Sequence, residues 1–335
     1  MSEDTILLSH GGGGRAARSL IQEVIAPIFD NPELERLEDA SRISGAGEKM
    51  VMTQDSYVVS PLFFPGGDIG RLAVSGTVND ILTTGARPVA LSAGLILEEG
   101  LSIDLLKRVL LSMKQAADSV PVPIITGDTK VVERGRGDGI YISTSGVGVL
   151  DSGTFLTPRR IEEGDLVLIN GPIGSHEAAI IAARNEFSLD VEVLSDCAPL
   201  AGLMKSVLEA VPETRFARDP TRGGVGAILN EVVESTGYGI TLEESAIPVE
   251  KPVNSLCELL GMDPLLMANE GKMVVVVPDG AAERCLEAMR SVPEGVLAAV
   301  IGRVHEGKPR LTIMTEYGTR RVVTMPKGDQ LPRIC

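Results

Sequence analysis

Apolar residues recur along the chain at two spacings, which predict helices and strands in a mixed order. In residues 16–29 the apolar positions Leu20, Val24 and Ile28 lie about one helical turn apart, as on one face of an amphipathic helix. Residues 50–60 instead alternate apolar and polar side chains, as half-buried strands do. Because the elements do not follow a strict β–α–β order, the pattern predicts an α+β, or mixed α/β, fold whose sheets are covered by helices.

The same pattern divides the chain into four segments. They are a Gly-rich segment with the first helix (residues 1–40), a first domain (41–150), a second domain (151–325) and a tail (326–335). Pro326 and Pro332 stiffen the tail and oppose helix formation there. Chain ends are commonly mobile unless they are tied down, so we expect the tail to move.

Local signals predict where several elements begin and end. Asp68 is expected to cap a helix that stops at Gly85, and Ser102 to cap the helix over residues 102–119. A short strand over residues 122–126 is expected to end just before Asp128. Residues 216–224, which are polar and rich in Gly, are expected to form a loop that leads into a helix.

Composition narrows the possible partners. The 335 residues carry a formal net charge of −15, which opposes nonspecific binding to nucleic acids and to anionic membranes. No apolar run approaches the ~20 residues of a membrane span, and the N-terminus is acidic where a signal peptide is basic. We therefore expect a cytoplasmic protein that binds neither nucleic acid nor membrane.

The four cysteines lie far apart, and one of them is the last residue of the chain. Cys197, Cys257 and Cys285 lie in or beside apolar helical stretches and are expected to be structural. Without a C-x-x-C pair, a zinc or iron–sulfur site is not indicated. Cys335 is expected to be a free thiol on an arm of nine residues that reaches roughly 30 Å when extended. The alternative is a frayed end that happens to finish in Cys.

A run of four glycines, Gly11, Gly12, Gly13 and Gly14, stands between a short apolar run and the first helix. Strand, glycines and helix is also the order of a dinucleotide-binding loop. The segment that follows is polar and Gly-rich where that motif needs a second strand. A flexible lid that orders over a ligand fits the run better, and a plain linker is the remaining alternative.

Four acidic residues stand where a carboxylate is unusual. Asp55 interrupts a strand and is expected to point into a cleft or to sit at a bulge, and Asp80 lies in a helix that is apolar nearly all round. Asp128 ends a strand, and Asp219 lies in the Gly-rich loop. Oxygen ligands without His favour Mg²⁺, which proteins commonly bind together with nucleotide phosphates. The alternative is that each Asp is a cap or a turn residue.

Several motifs together resemble one family. They are Gly76-Thr77-Val78-Asn79-Asp80 followed by Gly85-Ala86-Arg87-Pro88, Gly127-Asp128-Thr129-Lys130, and Asp219-Pro220-Thr221-Arg222-Gly223-Gly224. These resemble the aminoimidazole ribonucleotide synthetase superfamily of ATP-using enzymes. His10 with its glycines and the final Pro332-Arg333-Ile334-Cys335 narrow the resemblance to the carbamoyl dehydratases of [NiFe] hydrogenase maturation.

The resemblance implies a reaction on the terminal cysteine. A carbamoyltransferase maturation factor would load Cys335 with a carbamoyl group, and ATP with Mg²⁺ would activate the carbamoyl oxygen by phosphorylation. Loss of phosphate would leave a thiocyanate, whose cyano group passes to iron on a scaffold maturation complex. The resemblance also implies a homodimer formed through the N-terminal domains, with ATP bound near the interface.

It further implies a role for each matching residue. Glu270 would be the base that removes nitrogen protons, although a plain turn carboxylate is the alternative, and Lys130 would steady the carbamoyl oxygen or the phosphate. The ATP site implied comprises Gly11, Gly12, Gly13, Gly14, Asp55, Asp80, Asp128, Thr129, Arg222 and Gly223. The metal site implied comprises Asp55, Asp80, Asp128 and Asp219.

Two other functions remain open at this point. One is another ATP-dependent enzyme of the same superfamily that acts on a diffusible substrate, for which Cys335 is dispensable. The other is an acidic binding or scaffold protein whose terminal Cys holds a metal or a partner's thiol, and which hydrolyses no ATP.

Overall fold

The computed structural model describes residues 14–25, 28, 40–44, 49–151, 155–184, 192–325 and 333–335. Within these residues the chain forms two large sheets, each packed against helices, which confirms the predicted mixed α/β fold. No helix in this described part of the chain is long and apolar enough to cross a membrane.

The helices begin and end close to the predicted positions. They are α1 (Gly14–Leu20, followed by a π-helical turn at Ile21–Ile25), α2 (Ile69–Thr83), α3 (Ile103–Ser119), α4 (Ser175–Arg184), α5 (Ala201–Ala210), α6 (Gly224–Thr236), α7 (Lys251–Leu260) and α8 (Ala282–Arg290). Single 3₁₀ turns lie at Pro158–Arg160, Glu244–Ala246, Pro264–Leu266, Asp279–Ala281 and Pro293–Gly295.

The strands carry the two sheets and one small hairpin. They are β1 (Ser41–Ser44), β2 (Lys49–Tyr57), β3 (Phe63–Phe64), β4 (Gly67–Asp68), β5 (Arg87–Glu98), β6 (Ile124–Val132), β7 (Ile140–Val149), β8 (Leu166–Ile169), β9 (Phe216–Arg218), β10 (Gly239–Glu243), β11 (Val274–Val277), β12 (Ala299–His305), β13 (Leu311–Met314) and β14 (Arg320–Val322).

The first sheet has the order β1-β2-β7-β5-β6, and α2 covers one of its faces. In β2 the side chains of Val51, Thr53 and Tyr57 are buried and that of Asp55 is half-buried, whereas Met52, Gln54 and Ser56 are exposed. This alternation follows from the two-residue period of a strand, which turns successive side chains to opposite faces. We call the face under α2 the inner face and the opposite one the outer face.

The second sheet has the order β14-β13-β10-β12-β8-β11-β9 and is covered on both faces at its centre. Helix α6 packs on one face, while α5 and α8 pack on the other. All four valines of β11 are fully buried, because a strand with helices above and below it has no polar side to offer.

Helix α2 belongs to both cores. Its apolar side chains Leu72 and Val78 pack in one cluster with Tyr57 of the first sheet and with Leu200 and Met204 of the second half of the chain. A helix that is buried nearly all round is what the apolar sequence around Asp80 predicted, and thirteen of its fifteen residues are buried. The two halves therefore share a continuous hydrophobic core.

Three local predictions were wrong. The strand expected over residues 122–126 is β6 and runs on through Val132, because it pairs in parallel with β5 along its length. Asp128 therefore lies inside a strand, not at its end. Residues 216–218 are strand β9, since pairing with β11 recruits them into the sheet. Ser102 precedes α3, but its side chain forms no capping hydrogen bond.

The predicted cap of α2 is confirmed and gives a matched pair of variants. Asp68 Oδ1 accepts the backbone N–H groups of Gly70 and Arg71 at 2.8 and 3.2 Å, and Oδ2 accepts the hydroxyl of Ser112 at 2.5 Å. Asp68→Ala should lower the free energy of unfolding by about 2 kcal/mol. Because the chain has no Trp, urea unfolding followed by far-UV circular dichroism is the measurement.

The control is Ser102→Ala. Ser102 occupies the same position before α3 without a capping bond, so this change should stay within about 0.5 kcal/mol of the parent. Equal losses for the two variants would contradict the role assigned to Asp68.

Candidate active site

Two of the predicted carboxylates meet on the inner face of the first sheet. Asp55 shares this face with Thr53 and Tyr57, and its strand pairs in regular register with Thr144, so it faces α2 without a bulge. Asp80 of α2 comes down onto the same surface, where the Thr53 hydroxyl donates to Asp80 Oδ2 at 2.7 Å. The packing of α2 on β2 thus brings both acidic groups to one edge of the buried core.

A ladder of hydroxyls connects this surface to the helix backbone. Thr144 Oγ1 donates to the carbonyl of Ala73 at 3.1 Å, so it must accept its bond from Thr77 Oγ1 at 2.5 Å. Thr77 in turn accepts from Tyr57 Oη at 3.3 Å. Burial, followed by the charges of Asp55 and Asp80, raises the pKa of Tyr57, which keeps this phenol protonated as a donor.

The segment around residues 196–200 contacts both α2 and Glu270. Asn79 of α2 donates to the carbonyl of Ala198 at 3.1 Å and accepts the N–H of Leu200 at 2.8 Å, while Asp196 Oδ1 accepts the N–H of Glu270 at 3.1 Å. Lys272 fixes the same aspartate through its Nζ at 2.9 Å.

Gly271 makes this arrangement possible. A Cβ atom at Gly271 would collide with the backbone carbonyl of Asp196, so the turn after Glu270 needs a residue without a side chain. The close approach of Gly271 to Asp196 therefore fixes the backbone of the turn that carries Glu270.

The carboxyl group of Glu270 is buried and has an oxygen available for a ligand. Its side chain is buried, and Oε1 accepts no hydrogen bond from any residue that the structure describes. Burial, then the charges of Asp219, Asp55 and Asp196, raises its pKa well above the ordinary value, and Arg222 opposes this. A carboxylate with a raised pKa is a stronger base in its ionised form, and that form suits proton abstraction.

The Gly-rich loop that contains Asp219 is tied to the Glu270 turn. Asn269 donates from its backbone and its side chain to the carbonyl of Pro220, at 3.0 and 2.9 Å, and its Oδ1 accepts the N–H of Gly174 at 2.7 Å. Gly223 and the next residue take left-handed φ values of 78° and 62° as the loop turns into α6. Arg222 and Asp219 thereby come within electrostatic reach of Glu270.

Asp128 and Lys130 lie elsewhere. Both are exposed on the edge strand β6, where they pair with each other at 2.8 Å, with about 70% of each side chain in solvent. Following the register from Asp55 through Thr144 and Ala93 to Gly127 shows that Gly127 shares the inner face. Asp128 and Lys130 therefore point to the outer face, away from Glu270, whereas Thr129 shares the inner side of the sheet.

The donors near Glu270 suit a cation that is shared with phosphate. The described residues contain no group of three or more His, Cys, Asp or Glu arranged as a ready metal cage. Mg²⁺ bound with nucleotide phosphates needs only one or two carboxylates, all of them oxygen donors. Asp55 and Asp219 provide such donors close to the Glu270 carboxyl group, and Asp80 provides another beside Asp55 and Tyr57.

The last three residues are docked on the protein. The backbone N–H groups of Val58 and Ser60 donate to the carbonyls of Cys335 and Arg333 at 3.2 and 3.1 Å. Ile334 is buried, and the Arg333 guanidinium forms an ion pair with Asp138. The structure thus shows burial of Ile334 and a carboxylate for Arg333, while Gly11 to Gly13 and residues 326–332 lie outside the described residues.

Sequence reasoning missed residues that organise the site without carrying out chemistry. The sequence marks Asn79 only as part of a motif and gives no signal for Asp196 and His176, since their partners lie far away in the sequence. His176 is fully buried, with Nδ1 2.8 Å from Ser195 Oγ and Nε2 2.7 Å from the carbonyl of Ile334. Only the fold reveals these contacts.

Comparison with known proteins gives one consistent result. Residues 37–150 match the N-terminal domain of the AIR synthase related protein family, and residues 162–313 match its C-terminal domain. The chain is similar to the carbamoyl dehydratase HypE of Rhodobacter capsulatus, with 47% identity over 100% of this chain and 99% of that protein.

Solved structures agree. A crystal structure of a HypE–HypF complex matches with a TM-score of 0.88 and 46% identity, over 92% of this chain and 100% of the other. A crystal structure of the hydrogenase maturation protein HypE in complex with ATP matches with a TM-score of 0.83 and 42% identity, over 99% of this chain and 100% of the other.

The burial of three thiols predicts their reactivity. Burial raises the pKa of Cys257 to about 11 and of Cys285 to about 12, and it raises that of Cys197 further. A thiol reacts as its thiolate, so these three should remain unmodified by iodoacetamide at pH 8 in the folded protein. Cys335 should be the first to be alkylated, as measured by peptide mass mapping.

Unfolding in urea supplies the control, because all four cysteines should then react at similar rates. Alkylation of any of the three core cysteines as fast as Cys335 in the folded protein would contradict the assignment.

Proposed function

Because the chain belongs to the AIR synthase related family and, within it, to the HypE carbamoyl dehydratases, we propose that it converts an S-carbamoyl group on Cys335 into a thiocyanate in an ATP-dependent reaction. The product supplies the cyanide ligand for the iron of [NiFe] hydrogenase. One observation carries the proposal. The docked tail contacts His176 through the carbonyl of Ile334, and His176 contacts Ser195. The next residue, Asp196, binds the backbone N–H of Glu270.

The chemistry balances with the groups present. Transfer of the terminal phosphoryl group of ATP to the carbamoyl oxygen, with loss of one nitrogen proton, gives an imidate phosphate. Removal of the second nitrogen proton expels inorganic phosphate and leaves S–C≡N on Cys335. The products are the thiocyanate, ADP and phosphate, so the elements of water leave within the phosphate and the released protons.

Glu270 is the base in this proposal. Its Oε1 is unpartnered among the described residues, and its raised pKa favours proton uptake from nitrogen. Mg²⁺ held by Asp55, Asp80 or Asp219 would neutralise charge on the phosphates. Arg222 and Gly223, at the start of α6, would contact phosphate oxygens through a guanidinium and a backbone N–H.

A second copy of the chain would complete the site. Asp128 and Lys130 face outward from the sheet within one chain, and nearby exposed apolar residues, Ile96, Ile125 and Val131, leave this end of the sheet without cover. A homodimer formed on β5 and β6 would bury these residues and bring Asp128, Thr129 and Lys130 toward nucleotide at the interface. Lys130 would then steady the carbamoyl oxygen or the transferred phosphate.

The remaining assignments complete the proposal. The carbamoyltransferase, HypF in the known complex, loads Cys335, and an iron-carrying scaffold complex accepts the cyano group in the cytoplasm. Residues 41–150 form the ATP-binding and dimerisation domain and residues 151–325 the second domain. The glycines at 11 to 14 contribute to the ATP site, and the tail (326–335) presents Cys335 to the partners.

Intact-mass spectrometry tests the central claim. After incubation with the transferase, carbamoyl phosphate and ATP, the protein should gain a carbamoyl group and then lose the mass of one water, both mapped to Cys335. Cys335→Ala should abolish both changes but leave ATP binding intact. Thiocyanate formation by the Cys335→Ala protein, or turnover of a diffusible substrate without any adduct, would favour the other ATP-dependent activity.

Glu270→Gln tests the base. The amide keeps the size of the side chain and cannot take up a proton, so dehydration of the carbamoylated protein should fall by at least ~10²-fold. ATP affinity and carbamoyl loading should be retained. Near-parental dehydration would remove Glu270 from this role, and the distant buried carboxylate variant Asp165→Asn, which lies outside the site, is the control for loss of a buried charge.

A further inference from the structure

The carbonyl groups of the docked tail are gripped by one helix. His176 Nε2 lies 2.7 Å from the carbonyl of Ile334, and Arg184 Nη2 donates to the carbonyl of Arg333 at 2.9 Å. Arg184 Nε also donates to the carbonyl of Ser60 at 2.9 Å, which joins the tail to the segment that follows β2. The two residues stand about two turns apart near opposite ends of α4, so the helix acts as a rigid frame.

The contacts determine the protonation state of His176. A carbonyl oxygen only accepts, so Nε2 must carry a hydrogen. Burial lowers the pKa of His176, which favours the neutral ring, and Nδ1 then accepts from the hydroxyl of Ser195. Ser195 Oγ in turn accepts the N–H of Cys197 at 3.1 Å. The serine thus holds the imidazole in the tautomer that can donate to the tail.

The tail backbone takes an uncommon conformation at Arg333. Arg333 has a φ of 60°, in the left-handed region that few residues other than Gly occupy. Its carbonyl is the atom to which both Ser60 N and Arg184 Nη2 donate. These donors therefore select the turn at Arg333 that directs Ile334 into the core and places Cys335 after it.

We propose that His176 and Arg184 are positioning residues that grip the tail backbone and hold the Cys335 carbamoyl group in line for dehydration. This inference rests on the proposed function and deepens it. The hydrogen bonds from both residues go to the backbone carbonyls of Ile334 and Arg333, which do not change when the sulfur of Cys335 is carbamoylated or cyanated. His176 and Arg184 affect dehydration, which takes place while the tail is docked. They do not affect carbamoyl loading, for which the tail has to leave its docked position.

The contacts that hold the tail are connected to those that hold Glu270. Ser195 orients His176, and the adjacent Asp196 holds the backbone of Glu270. A single segment therefore sets the position of the tail and the position of the base relative to each other. Looser docking should raise the exposure of Cys335 and misplace the carbamoyl group at the same time, and misplacement of a reacting group by about 1 Å can cost ~10²-fold in rate.

The experiment uses full-length protein that the transferase has already carbamoylated. On addition of ATP, single-turnover dehydration is followed by intact mass, and carbamoyl loading is timed separately. Arg184→Met and His176→Leu should slow dehydration by ~10-fold or more while loading stays at the parental rate or rises. Alkylation of Cys335 in the unmodified variants should accelerate by a comparable factor.

Two further variants separate positioning from folding. His176→Gln can donate to Ile334 and accept from Ser195, so it should restore most of the dehydration rate. Arg290→Met is the matched control, because Arg290 also ends a helix and donates to a carbonyl, that of Ala298, far from the tail. It should change neither dehydration nor alkylation. If His176→Leu does not fold, Arg184→Met carries the test.

Parental dehydration and alkylation rates in Arg184→Met would overturn the inference. So would slower loading and slower dehydration in equal measure, or losses that simply follow thermal stability. Failure of the parent protein itself to lose water would sink the proposed function instead, and the alkylation rates would still decide whether α4 holds the tail.

Discussion

The buried amide of Asn79 is the contact on which the arrangement of the site depends. It lies on α2 beneath the first sheet, yet both of its polar groups bond to the backbone of the second half, at Ala198 and Leu200. A buried amide without partners is costly, so this pair of bonds fixes how the two halves meet. Asp80, the next residue, is thereby delivered to the same edge as the Glu270 turn. One side chain thus connects the packing of the core to the geometry of the chemistry.

That arrangement concentrates negative charge where the protein supplies little to balance it. Burial, and then the charges of Asp219 and Asp55, raises the pKa of Glu270, and Arg222 opposes this. In a folded protein such repulsion is unfavourable unless a ligand brings positive charge. A divalent cation with nucleotide would relieve it, and in doing so would lower the pKa of the base toward the working pH. The site is therefore organised to hold a cation and nucleotide. Because the charges that attract the cation also raise the pKa of Glu270, binding of the cation and activation of Glu270 are coupled.

Hydrophobic patterning predicted the mixed fold, most helices and the cap at Asp68, because each depends on residues close together in the sequence. It failed at β6 and β9, because pairing with β5 and β11, and not local preference, determines the extent of these strands. For the site, the sequence indicated Asp55 and Asp80 by their awkward surroundings. It could not show that Asp128 faces the other way, since that follows from counting residues across four strands. Contacts such as His176 with Ile334 join positions 158 residues apart and leave no local trace.

The way the tail is held explains how one site can accept a substrate that is part of the protein. A pocket that recognised the carbamoyl group itself would bind its own reactant and product differently, and would have to release each in turn. Backbone recognition avoids this, since the carbonyls of Arg333 and Ile334 do not change during the reaction. The hydrogen bonds are few and at one end of the chain, so a partner that offers the tail equivalent bonds can compete for it. The base and the nucleotide then determine selectivity, because they act only on a docked tail, while the backbone contacts with α4, Val58 and Ser60 contribute affinity.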